Sequence, residues 1–139
     1  MENNYRRAAL GLDIYSQIAK GQSAKASGEF ESVQRFQNAR NRIRSGVEEA
    51  QESRRRGRQA VGSATVAMVA QGGMVQPEML AKLKKEYEID AIKAMYDAKA
   101  DAATQESAGR MAKLQGKQAY RAGQLRAGMS ALQLASTYK

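Results

Sequence analysis

Gln71-Gly72-Gly73-Met74-Val75-Gln76-Pro77 is the one strong cluster of helix-breaking residues in the sequence. Its adjacent glycines suit the C-terminus of one helix, and its proline, the only one in the chain, suits the first turn of the next. The residues on both sides are rich in Ala, Glu, Lys, Arg, Gln and Met, which favour helix. The sequence therefore predicts an all-α protein, a long antiparallel helical hairpin with its reversal near residues 71–77.

This prediction divides the chain into three parts that together form one domain: a first helical arm at 1–71, the reversal at 72–77 and a second helical arm at 78–139. Apolar residues at steps of three and four mark a stripe in each arm. If the arms face each other through these stripes, Phe36 meets Met111, Val33 meets Leu114 and Ile18 meets Met129. Most of the glycines lie inside the predicted helices, where they favour close backbone packing or allow the helices to bend during use.

The apolar content is too small in side-chain volume to support an independent core. The 139 residues include no Trp and two Phe, and much of the 42% hydrophobic content is Ala. Such a core is marginal against the entropy of ordering the chain, so partner chains are expected and a homo-oligomer is predicted. The segment after Pro77 carries two apolar stripes, which predict a partner interface at Leu80, Leu83, Tyr87, Ile89, Ile92 and Tyr96.

The available side chains exclude most enzyme chemistry. The sequence contains no His and no Cys, which removes imidazole bases, thiol nucleophiles, disulfides and the usual zinc ligands. It also contains no phosphate-binding loop, nucleophile motif or calcium-loop spacing. We therefore expect no enzymatic activity, no cofactor and no metal site. The N-terminal residues lack a signal-peptide pattern, and no run of 18 apolar residues predicts a membrane span.

The net charge of +9 favours polyanionic neighbours. The Arg-rich run at 54–58 has carboxylates before it and opposite it in the hairpin, so intramolecular ion pairs are the first interpretation there. A second group of cations recurs at helical spacing with Glu106 as its only nearby carboxylate. We call this group the basic stripe; its members are Arg110, Lys113, Lys117 and Arg121. A solvated face, DNA backbone contact and anionic lipid contact all remain open for it.

Both ends of the chain are apolar and rich in small residues. In a hairpin they lie together, as one patch that either packs helix on helix or contacts a membrane or partner. The residues predicted for this patch are Leu12, Ile14, Ile18, Leu125, Met129 and Leu132.

Four segments together carry a resemblance to a known family. They are GLDIYSQIAKGQSAKASGEFES (11–32), NARNRIRSGVEEAQESRRRGRQA (38–60), VGSATVAMVAQGGMVQPEML (61–80) and GKQAYRAGQLRAGMSALQLASTYK (116–139). This order of apolar start, Arg/Glu-rich helix, Gly-containing passage and closing helix resembles the small internal virion (ejection) proteins of short-tailed, T-seven-like podovirus phages. The chain is shorter than the best-known members and has no evident long apolar segment.

The resemblance implies a structural protein that is made in the host cytoplasm and packaged inside the capsid near the portal. It implies release ahead of the genome, to help form a conduit for genome ejection across the host envelope. The partners that it implies are further copies of the chain, the portal and other internal virion proteins, with contacts to genomic DNA and to the host outer membrane or periplasm as open alternatives. The competing interpretation from composition is a basic, helical, cytoplasmic nucleic-acid-binding or scaffolding protein.

Overall fold

The computed structural model describes residues 2–136, with side chains described for 11–133, 135 and 136. These residues form two α-helices, α1 at Glu2–Ala70 and α2 at Pro77–Ser136. The predicted all-α architecture of two helical arms joined by a reversal is therefore confirmed for this part of the chain. Met1 and residues 137–139, which the predicted arms include, lie outside the described residues.

The end of α1 is a Schellman motif built on Gly72. Gly72 has a positive φ of 71°, a conformation that costs glycine little because it has no Cβ. Its N–H donates to the carbonyl of Val69 at 3.0 Å, and the N–H of Gly73 donates to the carbonyl of Met68 at 3.1 Å. These bonds satisfy carbonyls that the last helical turn leaves without partners. The chain stops being helical here because its sequence supplies two consecutive glycines.

The start of α2 is also determined by residues that are close to it in the sequence. Pro77 occupies the first helical position, where its missing N–H is not needed and its fixed φ already suits a helix. The N–H of Leu80 donates to the carbonyl of Gln76 at 3.3 Å, and Glu78 places a negative charge in the first turn. The helix boundaries thus follow from residues on either side of a short connection.

Contacts between residues group the described chain into two units. The first unit contains residues up to Phe36 together with those from Glu106 onward, and the second contains Gln37–Gln105. In the second unit Gly46 lies against Ala98, and a Cβ at Gly57 would lie 2.8 Å from the Cβ of Tyr87. Residue numbers rise along α1 as they fall along α2, so the helices pack antiparallel.

The first unit brings the two backbones close together at glycines of both helices. A Cβ at Gly28 would lie 2.6 Å from the carbonyl oxygen of Ala112 and 3.1 Å from the Cα of Gly116. A Cβ at Gly116 would lie 2.9 Å from the carbonyl oxygen of Ala24. These approaches require glycine, which confirms close backbone packing as the role of these residues. In contrast, a Cβ at Gly62 would have no atom within 4 Å.

The buried face of each helix consists of small residues, which we call the small-residue seam. Many of its members are eleven positions apart, a period of about 3.67 residues per turn that lies close to an ordinary straight helix. The seam contains Gly21, Gly28, Ser32, Ala39, Gly46, Ala50 and Gly57 on α1 and Ala91, Ala98, Ala102, Gly109, Ala112, Gly116 and Ala127 on α2. No large side chain among the described residues is fully buried.

The predicted facing register of the arms is therefore wrong. Val33 and Leu114, predicted to meet between the arms, are 54% and 53% exposed. In the other two predicted pairs, Ile18, Met129 and Met111 are also exposed and Phe36 is half-buried. The physical reason is that helices approach most closely along the face with the smallest side chains, so the Gly/Ala face packs inward. The larger apolar residues are left at the flanks and on the outside.

Candidate assembly surfaces

The outer faces of the helices carry most of the large apolar side chains. In an ordinary globular protein these residues fill the core, and a contiguous exposed apolar patch marks an interaction site. Here the seam leaves no room for them. The described residues that are large, apolar and exposed include Leu12, Tyr15, Ile18, Phe30, Val33, Val66, Val69, Met79, Ile89, Ile92, Tyr96, Met111, Leu114, Leu125, Met129 and Leu132.

The predicted partner interface after Pro77 divides into two faces of α2. Leu80, Leu83 and Tyr87 are half-buried on the side that packs on α1. There the Ser53 hydroxyl donates a 2.9 Å hydrogen bond to the backbone carbonyl of Tyr87, which fixes the position of that turn. These residues stabilise the helix pair itself and are only partly available to another chain.

The second face of the same segment is open. Ile89 is exposed, Ile92 is 57% exposed and Tyr96 is 73% exposed. The sequence thus predicts correctly that this part of α2 has a second apolar side that α1 does not cover. That a partner chain covers this second side stays a prediction.

Two exposed residues are assigned to the wrong face by sequence reasoning. Met111 and Leu114, predicted to face α1, are exposed on α2. Met111 follows Ile89 by two eleven-residue steps, as Leu114 follows Ile92. Residues at this spacing lie on the same face of a helix, so an eleven-residue count along α2 would have separated the inner and outer stripes.

The basic stripe lies on the surface of the first unit. All four of its members are exposed. Arg110 is 3.8 Å from Glu106 on the preceding turn, a long ion pair between exposed groups. Among the described residues, the structure gives Lys113, Lys117 and Arg121 no carboxylate within ion-pair distance. The stripe therefore presents uncompensated positive charge beside exposed Leu114 and Leu125.

The Arg-rich run behaves differently, as the sequence suggests. Arg54 makes a bidentate contact with Glu88 on α2, with its closest atoms 2.7 Å apart. Arg56 pairs with Glu52 at 2.5 Å. The hydrogen bonds from Arg54 lower the pKa of the Glu88 carboxyl, and the same contact raises the pKa of the Arg54 guanidinium. Intramolecular ion pairing is thus confirmed for these two arginines.

A second ion pair joins the helices within the same unit. The Arg42 Nε donates to the Asp101 carboxylate at 3.0 Å, and its Nη1 lies 3.5 Å from Glu49. The hydrogen bond to Asp101 raises the pKa of Arg42. With the Arg54–Glu88 pair, this contact supplements a seam whose small residues bury little area each.

The predicted end patch belongs to the first unit. Leu125 and Leu132 are 70% and 72% exposed, and Leu12, Ile18 and Met129 are also exposed. Ile14 is half-buried. Nearby, the Lys25 ammonium lies 5.4 Å from the centre of the Tyr120 ring, a cation–π contact across the helix pair.

The described residues contain no cluster of three or more carboxylates suited to a metal ion. Within the same residues, neither helix is long and apolar enough at any point to span a membrane. Comparison of the chain with protein-family models, with curated proteins and with solved structures gives no match.

Proposed function

We propose that this chain is a structural subunit of a larger assembly, specifically an internal virion protein of a short-tailed phage. In this role it is packaged near the portal and released to help form the conduit for genome ejection. The observation that carries the structural part of the proposal is the inversion of residue size, with small residues inside and large apolar residues outside.

This inversion favours assembly for an energetic reason. Burying apolar surface contributes about 25 cal/mol per Å², and large side chains supply most of that area. In the helix pair, Ile92, Tyr96, Leu125 and Leu132 keep most of their surface in water. Contact with other chains is what removes such surface from water, as in obligate oligomers whose interfaces resemble cores.

The composition supports a role in binding rather than catalysis. Without His or Cys, the chain has few groups that titrate or attack substrates near neutral pH. Its side chains instead suit long helices with charged flanks. We therefore propose a non-enzymatic role without cofactors.

The phage context rests on the segment pattern that resembles internal virion proteins. In that context, several copies form a ring or other oligomer, with the portal and larger internal virion proteins as partners. The basic stripe faces genomic DNA in the particle or an anionic host membrane after release.

The second candidate is a basic, helical, cytoplasmic nucleic-acid-binding or scaffolding protein. The exposed and largely unpaired basic stripe favours it, because sequence-independent binding to nucleic acid depends on cations available to phosphates. In this alternative the protein acts without entering a particle.

Purified particles of the encoding phage distinguish the two candidates. The proposal expects the chain in intact virions by mass spectrometry, protected from added protease, and absent from particles that have ejected their DNA. The major capsid protein serves as a control that remains after ejection. A chain that is abundant in infected cells but absent from purified virions would rule out the virion proposal and leave the second candidate. A gene that lies among portal and tail genes would support the first.

A further inference from the structure

We propose that the outer face of α2 binds a second copy of the same chain, with residues 86–103 of one copy packed antiparallel on residues 107–126 of the other. This inference deepens the proposed function, because it names the partner and the surface of a structural subunit. Each surface lies within one unit, the first segment in the second unit and the other in the first unit.

Both segments present exposed apolar residues at matching helical spacing. On the first segment Ile92 and Tyr96 are 57% and 73% exposed. On the other, Met111, Leu114 and Leu125 are 55%, 53% and 70% exposed. The steps of three and four that separate these residues also separate the seam residues that pack on α1. The outer face therefore has the periodicity that helix packing requires.

Opposite charge selects the second copy as the occupant. The segment 86–103 contains five carboxylates and two lysines. Glu88 and Asp101 are already paired with arginines of α1, so the three other carboxylates and the two lysines leave a charge of −1. The segment 107–126 contains five basic residues and no carboxylate, which gives +5. Stacking the segment 107–126 on itself brings like charges together, whereas stacking it on the segment 86–103 joins opposite charges. Such complementarity governs which helical partners and orientations are chosen.

An antiparallel arrangement also matches side-chain size. When Glu86 lies opposite Arg126 of the second copy, Tyr96 falls opposite the turn between Leu114 and Gln118. In the same arrangement Ala100 falls opposite Ala112, so two small residues lie at the same level. The large side chain of Tyr96 thus meets a gap between two residues of the second copy, as interdigitating helices require.

Charge reversal tests the contact directly. Glu86 and Arg126 are both exposed and outside the seam, so Glu86→Arg and Arg126→Glu should leave the helix pair folded. By sedimentation velocity, each variant alone should self-associate about tenfold more weakly than the wild type, since the contact between residues 86 and 126 becomes repulsive. A one-to-one mixture of the two variants should recover association, because each arginine at 86 then meets a glutamate at 126.

An apolar pair of variants provides a second measurement. Leu114→Asp should abolish self-association, whereas Phe30→Asp, at a residue of α1 that is 65% exposed, should not affect it. Circular dichroism checks that both remain helical. If the wild type stays monomeric at high micromolar concentration, or if mixing restores nothing, the proposed contact is wrong. If the protein is found in virions but is a monomer in solution, this contact alone is refuted. If it self-associates but is not found in virions, only the virion role is refuted.

Discussion

The substitution Gly28→Ala tests the small-residue seam most directly. A Cβ at this position would lie 2.6 Å from the carbonyl oxygen of Ala112, closer than van der Waals contact allows. Because the obstructing atom belongs to the backbone, it cannot rotate away. The two helices must separate by several tenths of an ångström, and the packing of the seam loosens over the neighbouring turns.

The size of the effect follows from two opposing contributions. Alanine favours a helix interior over glycine by about 1 kcal/mol. Overpacking at a close contact typically costs about 1–3 kcal/mol. We therefore expect Gly28→Ala to lower the free energy of unfolding by about 1 kcal/mol, the middle of a net range of about 0 to 2 kcal/mol. Gly62→Ala is the matched control, since its added methyl group would meet no atom within 4 Å. The control should raise the same free energy by about 1 kcal/mol.

Urea unfolding followed by circular dichroism at 222 nm measures both changes. All variants are compared at one protein concentration, because self-association makes apparent stability depend on concentration. Opposite signs for the two variants would support a seam at Gly28. If both variants were stabilised equally, the backbones of α1 and α2 could not be in contact at this glycine.

Three further outcomes follow from local features. Gly72→Ala should destabilise the fold by about 1 kcal/mol in thermal unfolding because of its positive φ, and an equal effect of Gly73→Ala would remove that explanation. Glu88→Gln should lower the free energy of unfolding near neutral pH. Arg54 lowers the folded-state pKa of Glu88, so the difference in that free energy between wild type and variant should shrink as the pH falls through this pKa. A difference that does not change with pH would contradict the ion pair. Replacing the four cations of the basic stripe by Gln should weaken the salt dependence of binding to duplex DNA. The slope of log affinity against log salt concentration should become smaller by about 0.9 for each phosphate that the variant no longer binds. The paired Arg56→Gln should leave that slope unchanged, and no change in either variant would make the stripe a solvated face.

The reversal was predictable from sequence because its determinants are local. Gly72 and Gly73 end α1 and Pro77 begins α2, and each residue acts through its own backbone geometry. The pairing of Arg54 was also predictable, since carboxylates occur both nearby in sequence and opposite it in any antiparallel arrangement. The reversal depends on the nearest few residues, so it does not change with the long-range register. The Arg54 pair tolerates a small change of register because Glu86 and Asp90 lie close to Glu88 on α2.

The facing surface was not predictable by hydrophobicity, because alanine and glycine carry little hydrophobic signal. Val33 and Leu114 belong to the apolar stripes at steps of three and four, and ordinary amphipathic helices bury such residues. The helices meet instead through Gly28 and Gly116, where the two backbones come close together. How closely two backbones can approach depends on the size of the side chains between them and not on their hydrophobicity. The sequence signal that identifies the seam is the recurrence of small residues at eleven-residue spacing, which a hydrophobicity pattern does not register.

This separation of small and large residues leaves α2 with a second apolar face that α1 does not cover. The seam aligns α1 and α2 but buries little apolar area, since residues such as Ala98 and Ala102 carry a single methyl group. Most of the large apolar area remains on the outer faces, at Tyr96 and Leu125 among others. Burial energy scales with area, so the larger part of the hydrophobic stabilisation is still available after the helix pair has formed. A chain built in this way gains that stabilisation only when other molecules cover its outer faces, which is the physical reason for the assembly that we propose.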